Sequence, residues 1–171
     1  MTTDPITLQR IETLHPKIRA EVKEIYQQIN SALKGKAMCR FTHTYRSVKE
    51  QDQLYAIGRT LPGKIVTHAR GGQSYHNYGL AIDICLLLTP DKGKTPTLSY
   101  QTQKDFDGDG KADWQEVVAI FKQYGYEWGG DWHFKDPPHF QKTFGRSIKQ
   151  LQQLMKLGKT LPPQNYFPSL D

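Results

Sequence analysis

Apolar residues recur along the chain at two distinct periods. Ile18, Val22, Ile25, Ile29 and Leu33 return at helical spacing, which predicts a helix burying one stripe. Pro16 fits its first turn, where a missing N–H leaves nothing unpaired, and Gly35 marks its end. The residues before it read as a short disordered start. Cys39 to Tyr45 is rich in strand formers, and Ser47 with Glu50 makes an S-x-x-E capping box that opens a helix at Val48. Val48, Gln51, Leu54, Tyr55 and Gly58 are expected along its inner side. Arg46 falls where strand hands over to helix, a place from which side chains often reach a cleft.

Residues 61 to 78 are rich in Gly, Ser, Asn and His and read as an ordered loop. Gly79 to Leu87 reads as a strand. Gly79, Ala81 and Asp83 share one face, while Leu80, Ile82 and Ile84 share the other and pack the core. Residues 89 to 104 read as a polar surface excursion. Val117, Val118, Phe121 and Tyr124 predict a helix over 113–124, stopped by Gly125. Short strands are expected at 126–128 and 139–141, and a last helix from Ser147 to Leu157. The tail over 161–171, rich in proline, is expected to be extended. No internal repeat or coiled-coil heptad is present.

Composition narrows this to one globular domain over 1–160, followed by that tail. The chain has 171 residues, 37% of them hydrophobic, with 3 Trp, 9 Tyr and 7 Phe, enough apolar material to exclude wholesale disorder. Its formal net charge of +6 favours anionic partners, but the Lys and Arg residues are scattered, so a solvated basic surface is the plainer reading. Cys39 and Cys85 form no metal-binding or disulfide pattern and are expected as buried free thiols. The N-terminus lacks the basic start and apolar stretch of a secretory signal, and the apolar run Ile82–Leu88 is too short to span a bilayer. Synthesis in the cytoplasm is therefore expected, with delivery by other means if the protein acts elsewhere.

Candidate chemistry concentrates in two segments. In S-Y-H-N-Y-G-L-A-I-D, residues 74–83, a histidine on a loop entering a strand and an aspartate on that strand can meet at one metal ion. Zinc takes imidazole nitrogen and carboxylate oxygen, and catalytic sites use three protein ligands. D-P-P-H, residues 136–139, offers the third in His139, with Asp136 left as a base for the attacking water. The two prolines fix where both side chains point. Taken singly, each of these residues is more ordinary as a surface histidine or a turn carboxylate.

Together they resemble a known family. Residues 74–83 match the S-x-H-x-x-G-x-A-x-D signature of the VanX/VanY-like zinc D,D- and L,D-peptidases of peptidoglycan, which include phage endolysins and CwlK-like cell-wall enzymes. Asp136 and His139 resemble the second motif, and T-Y-R-S, residues 44–47, the upstream segment with its arginine. E-Q-D-Q-L-Y-A-I-G-R-T (50–60), G-G-Q-S-Y-H-N-Y-G (71–79) and W-G-G-D-W (128–132) are similar to the L-alanyl-D-glutamate branch. The resemblance implies an α+β fold, with a small, mainly antiparallel sheet carrying the metal ligands and helices on one side. It implies zinc on His76, Asp83 and His139, Asp136 as general base, and Arg46 as the group that polarises the scissile carbonyl. Ser74 would orient the motif loop or the substrate, and Asp131 would stand in the pocket wall or just behind it. Peptidoglycan stem peptides are the implied partner, and a monomer is expected.

A second segment is independent of this. D-F-D-G-D-G-K-A-D-W-Q-E, residues 105–116, fits an EF-hand calcium loop, with Asp105, Asp107, Asp109, the Lys111 carbonyl, Asp113 and Glu116 at the ligand positions and Gly110 at the sharp turn. Only the helix after it is convincing, so the loop is EF-hand-like. Three other readings compete for the whole chain: cleavage of the terminal D-alanyl-D-alanine bond, a non-catalytic zinc module of the Hedgehog kind that shares the fold, and a nucleic-acid binder. The last lacks a recognition helix or an aromatic–basic stripe.

Overall fold

The computed structural model describes residues 4–88, 95–163 and 166–171. Where a disordered start was expected, the described residues open with a helix, α1 (Pro5–Glu12), residues 1–3 lying outside them. Asp4 caps it, accepting hydrogen bonds from the Thr7 N–H at 3.2 Å and the Thr7 hydroxyl at 2.7 Å. Arg40 grips the same carboxylate through Nε and Nη2 at 2.9 and 2.8 Å. Within α1 only Thr7 and Ile11 are buried, too few to reveal a period. Helix α2 (Pro16–Ala32) buries the expected stripe.

Strands β1 (Ala37–His43), β2 (Ala81–Leu88), β3 (Thr97–Ser99), β4 (Glu127–Trp128) and β5 (His139–Gln141) form one antiparallel sheet. β1 runs the length of β2 from Ala37↔Leu88 to His43↔Asp83. β5 and β3 must therefore share the other edge of β2, one after the other: β5 pairs with Ala81–Asp83 and β3 with Leu86–Leu88. β3 lies in the region read from sequence as a surface excursion, of which residues 89–94 lie outside the described residues. Three residues are too short a run to register as a strand by alternation.

The two faces of the sheet differ as the strand pattern predicts. Cys39, Phe41, Ile82, Ile84, Leu86 and Phe140 point into the hydrophobic core, where helices α1, α2 and α4 (Asp113–Gln123) cover them. Each such side chain contributes roughly 1.5–3 kcal/mol by leaving water. Helix α3 (Val48–Ala56) borders the cleft on the opposite face through Leu54, so the helices are not all on one side, while α5 (Ile148–Lys156) buries Leu151 in the core, packs Ile148, Leu154 and Met155 against it, and lines the cleft with Ile148. The Ser47–Glu50 capping box is present. Val48, expected on the inner side of α3, is 53% exposed, because the first turn of that helix projects past the core.

The tail does not hang free. Leu161 N–H bonds to the Phe167 carbonyl and Ser169 N–H to the Lys159 carbonyl, so the chain doubles back. The Phe167 ring then packs on His15 and Tyr45, His15 Nε2 donates to the Pro168 carbonyl, and Leu170 is buried. Apolar Phe167 and Leu170 outweigh the extending effect of the prolines. Cys39 and Cys85 are buried free thiols. Among the described residues, no helix is long and apolar enough to cross a membrane.

Candidate metal centre and active site

On the sheet face away from the core, Asp83 sits directly opposite His139 on β5 and His43 on β1. Directly paired strand residues hold their Cβ atoms about 5 Å apart, so strand register alone brings the carboxylate and the imidazole together. His139 Nδ1 lies 3.0 Å from Asp83 Oδ1. His76 arrives from a 3-10 turn, Tyr75–Tyr78, just before β2. Ser74 caps this turn by accepting the His76 N–H at 3.3 Å, and the buried Asn77 Oδ1 accepts from Gly72 and Ser74 N–H groups. Gly79 ends it at φ 65°, a left-handed conformation that favours glycine. His76 Nδ1 donates to the Thr44 carbonyl at 2.6 Å; a carbonyl only accepts, so the lone pair of His76 falls on Nε2, which faces Asp83 Oδ1 at 3.1 Å.

Three electron-pair donors thus face one point, and their ligand atoms all lie within 4.8 Å of one another. Zinc with bonds near 2.0–2.1 Å places tetrahedral neighbours about 3.3 Å apart, close to the two contacts of Asp83. The donor set, two imidazoles and a carboxylate, is also what zinc prefers. Burial by itself would raise the Asp83 pKa, but the imidazoles of His76 and His139 hold it far below the usual carboxylate range. The residues fit a zinc ion.

Two further candidate groups share this cleft of about 1180 Å³ with His76, Asp83 and His139. Arg46 reaches in from the β1–α3 junction, with Nη2 3.7 Å from Asp83 Oδ2. Its other terminal nitrogen donates at 2.9 Å to Gln51 Oε1, and Gln51 is fully buried and tied in turn to the Ala69 carbonyl. Asp136 stands at the rim. Its carboxylate accepts no hydrogen bond among the described residues, and its pKa is raised, first by desolvation and then by Asp83, against the pull of His139, His76 and Arg46. A bound cation would act with those three.

The backbone of Asp136 rests on Gly129: Asp136 N–H donates to the Gly129 carbonyl at 2.9 Å, and a Cβ at Gly129 would lie 2.4 Å from the Asp136 carbonyl oxygen. Trp128 Nε1 donates to the Pro137 carbonyl at 2.7 Å. The W-G-G-D-W segment is thus the bed on which D-P-P-H lies. Asp131 does not join the cleft wall as expected. It is turned outward to Lys122 Nζ at 2.6 Å, since the 3-10 turn at Gly129–Asp131 points its last side chain towards α4. His133 is likewise exposed, against Phe134.

Two supporting residues were missed in the sequence. Gln141 Oε1 lies 3.0 Å from His139 Nε2, and Gln51 holds Arg46. Strand alternation places Gln141 on the face of His139 and could have flagged it. Gln51 was placed on the inner side of α3, but nothing local marks it as a partner of Arg46.

In the acidic loop, Asp105, Asp107 and Asp109 bring their oxygens within 4.8 Å of one another. Backbone N–H groups of Gly108 and Gly110 point to Asp105, and those of Asp109 and Lys111 point to Asp107 and Asp109. Asp107 Oδ2, Asp113 Oδ1 and Glu116 Oε2 are buried without a hydrogen-bond partner. Burial, reinforced by the neighbouring carboxylates, raises the pKa of both Asp113 and Glu116.

The fold and the cleft suit a metallopeptidase, and residues 67–142 match the M15 peptidase family model described as D-alanyl-D-alanine carboxypeptidase. The chain belongs to this zinc-dependent family of peptidoglycan peptidases. Among its relatives is the peptidoglycan L-alanyl-D-glutamate endopeptidase CwlK of Bacillus subtilis (strain 168), 46% identical over 130 residues, which make up 72% of this chain and 75% of the relative.

Proposed function

We propose that the protein is a zinc-dependent endopeptidase acting on the bacterial wall, where it cuts the L-alanyl–D-glutamate bond of peptidoglycan stem peptides. The observation that carries this reading is the convergence of His76, Asp83, His139, Asp136 and Arg46 on one cleft. The name of the Bacillus relative supports the choice of bond over the D-alanyl-D-alanine bond in the family model's description. The size of the cleft, about 1180 Å³, supports it too. It exceeds what small-molecule pockets usually offer and suits an internal bond with peptide on both sides.

His76, Asp83 and His139 would hold the zinc, which supplies a Lewis acid for the scissile carbonyl and a nucleophile at neutral pH. Asp136 takes the proton of the attacking water and passes it to the leaving amine of D-glutamate. Its raised pKa suits both halves of that transfer. Arg46, already fixed by Gln51, donates to the oxygen on which negative charge develops. Ser74 acts by shaping the turn that carries His76. A non-catalytic zinc module would have no use for Asp136 and Arg46.

Mass spectrometry of digested peptidoglycan tests this reading, with Asp136→Ala alongside. New L-alanine C-termini with D-glutamate N-termini, absent from the variant digest, are expected. Release of free D-alanine instead would move the enzyme to the carboxypeptidase branch, and no cleavage with zinc and calcium both supplied would leave a binding module.

The acidic loop supports a second cation, Ca²⁺, bound by Asp105, Asp107, Asp109, the Lys111 carbonyl, Asp113 and Glu116. The supporting observation is that buried oxygens of Asp113 and Glu116 have no hydrogen-bond partner and buried Asp107 Oδ2 has only the Lys34 ammonium at 3.7 Å, since burying unpaired charge is costly. Calcium at a hundred times its Kd would add about 2.7 kcal/mol of stability, roughly 5–10 °C in Tm. The Asp107→Ala/Asp109→Ala variant should show no such rise. Equal melting of the parent in calcium and in a calcium-selective chelator would remove this ion from the account. Helix α4 links the loop to W-G-G-D-W, so activity is also expected to fall when calcium is withdrawn.

A further inference from the structure

We infer that Glu127, an exposed residue outside the cleft, sets the tautomer of His139 through Gln141 and so tunes the affinity of the site for its cation. The inference rests on His139 being a metal ligand. Glu127 and Gln141 are paired across β4 and β5, and Gln141 stands two residues after His139 on the same strand face. All three side chains therefore lie in a row set by strand register.

The direction of each hydrogen bond follows from chemistry. A carboxylate only accepts, so Glu127 Oε2, at 2.8 Å, fixes the Gln141 amide with its NH₂ turned towards β4. The Gln141 carbonyl oxygen is then left facing His139 Nε2 at 3.0 Å. An acceptor at that position requires hydrogen on Nε2, which leaves the lone pair on Nδ1, the nitrogen beside Asp83. With the amide turned over, its NH₂ would face Nε2, hydrogen would move to Nδ1, and an N–H would point at the metal position. Among the described residues Glu127 is the only partner holding the amide, and Thr143 Oγ1 at 3.4 Å steadies its second oxygen. His139 and Gln141 are buried to within 7% and 8% of their surface, so the contact between them is mostly shielded from water.

Glu127 touches neither metal ligand nor cleft, and is a positioning residue only. The test is a zinc competition titration with a chromophoric chelator, together with long-range ¹⁵N NMR of the imidazoles in zinc-free protein. In Glu127→Gln the amide order is lost; zinc affinity should fall about tenfold and the His139 resonances should shift towards the Nδ1–H form. Gln141→Leu should cost 10- to 100-fold in affinity, the usual range when a ligand loses its supporting partner. The double exchange E127Q/Q141E puts a carboxylate against Nε2 with an amide behind it, and should restore affinity to within about threefold. A merely structural role does not predict that rescue. Glu127→Gln with unchanged Kd and an unchanged ¹⁵N pattern would overturn the inference while leaving the metal site intact. Failure of the unaltered protein to bind zinc would overturn it together with the metal assignment. Surface position makes Glu127→Gln safe for folding, should Gln141→Leu fail to fold.

Discussion

Replacing Gly129 by alanine should disable the enzyme without touching a metal ligand. A Cβ there would lie 2.4 Å from the Asp136 carbonyl oxygen, 3.2 Å from its carbonyl carbon and 3.1 Å from its Cβ. Ordinary van der Waals contact begins near 3.4 Å, so the backbone of Asp136 must retreat by about 1 Å. Gly129 does not sit at positive φ, so the substitution acts through this contact and not through backbone strain. A retreat also lengthens the 2.9 Å bond from Asp136 N–H to the Gly129 carbonyl. Misplacing a catalytic group by about 1 Å lowers rate on the order of 100-fold, or about 2.7 kcal/mol. Overpacking of this kind also destabilises by roughly 1–3 kcal/mol, so activity must be read well below the melting transition. The assay is kcat/KM on a soluble stem peptide, with zinc affinity and Tm recorded on the same preparation. Gly129→Ala that is folded, zinc-loaded and within threefold of the parent would refute the assignment of Asp136 as the base.

Four other outcomes are expected. Arg46→Ala should lower kcat by about 100-fold, roughly 3 kcal/mol, with KM changed far less; a change confined to KM would make Arg46 a binding group instead. Asp83→Asn should abolish tight zinc binding in the chelator titration, because it removes the charged ligand shared by both imidazole contacts. Asp4→Asn should lower Tm near neutral pH, since it weakens a cap and a bidentate Arg40 pair worth together about 2 kcal/mol. Burial alone would raise the Asp4 pKa, but hydrogen bonds from Arg40 and Thr7 hold it below its unfolded value. The Tm gap between parent and Asp4→Asn is therefore full above about pH 4 and closes as the pH falls further; a gap constant down to pH 3 would contradict this. Phe167→Ala should cost about 2 kcal/mol in urea melts by exposing the back of the His76 turn, and an unchanged midpoint would make the tail dispensable.

What could be read in advance followed the strength of each local signal. Helix α2 and strand β2 were legible because their apolar residues repeat at clean periods, and the two faces of β2 separated core from chemistry. That His76, Asp83, His139 and Asp136 gather at one cleft was legible because two short motifs hold them. Helix α1 was not, for its burial rests on Thr7, Ile11 and a carboxylate paired with Arg40, a partner 36 residues away. Asp131 misled because its proximity in sequence to Asp136 says nothing about which way a 3-10 turn will aim it. Gln51 and Glu127 work through partners that only tertiary structure supplies. The tail was misjudged for a related reason: its prolines are a local signal, whereas the seat of Phe167 between His15 and Tyr45 is not.

That seat bears on the order in which the site is assembled. A Cβ at Gly79 would lie 2.7 Å from the Phe167 ring and 2.6 Å from the His15 backbone nitrogen, so the turn presenting His76 is clamped from the beginning of the described chain and from its far end. Synthesis proceeds from the N-terminus. His76, Asp83 and His139 therefore all leave the ribosome before the residue that backs the first of them. The growing polypeptide holds a full set of ligands but an unsupported turn until Phe167 has emerged and folded back. Support of the His76 turn by Phe167 is in this sense a late step in building the cleft.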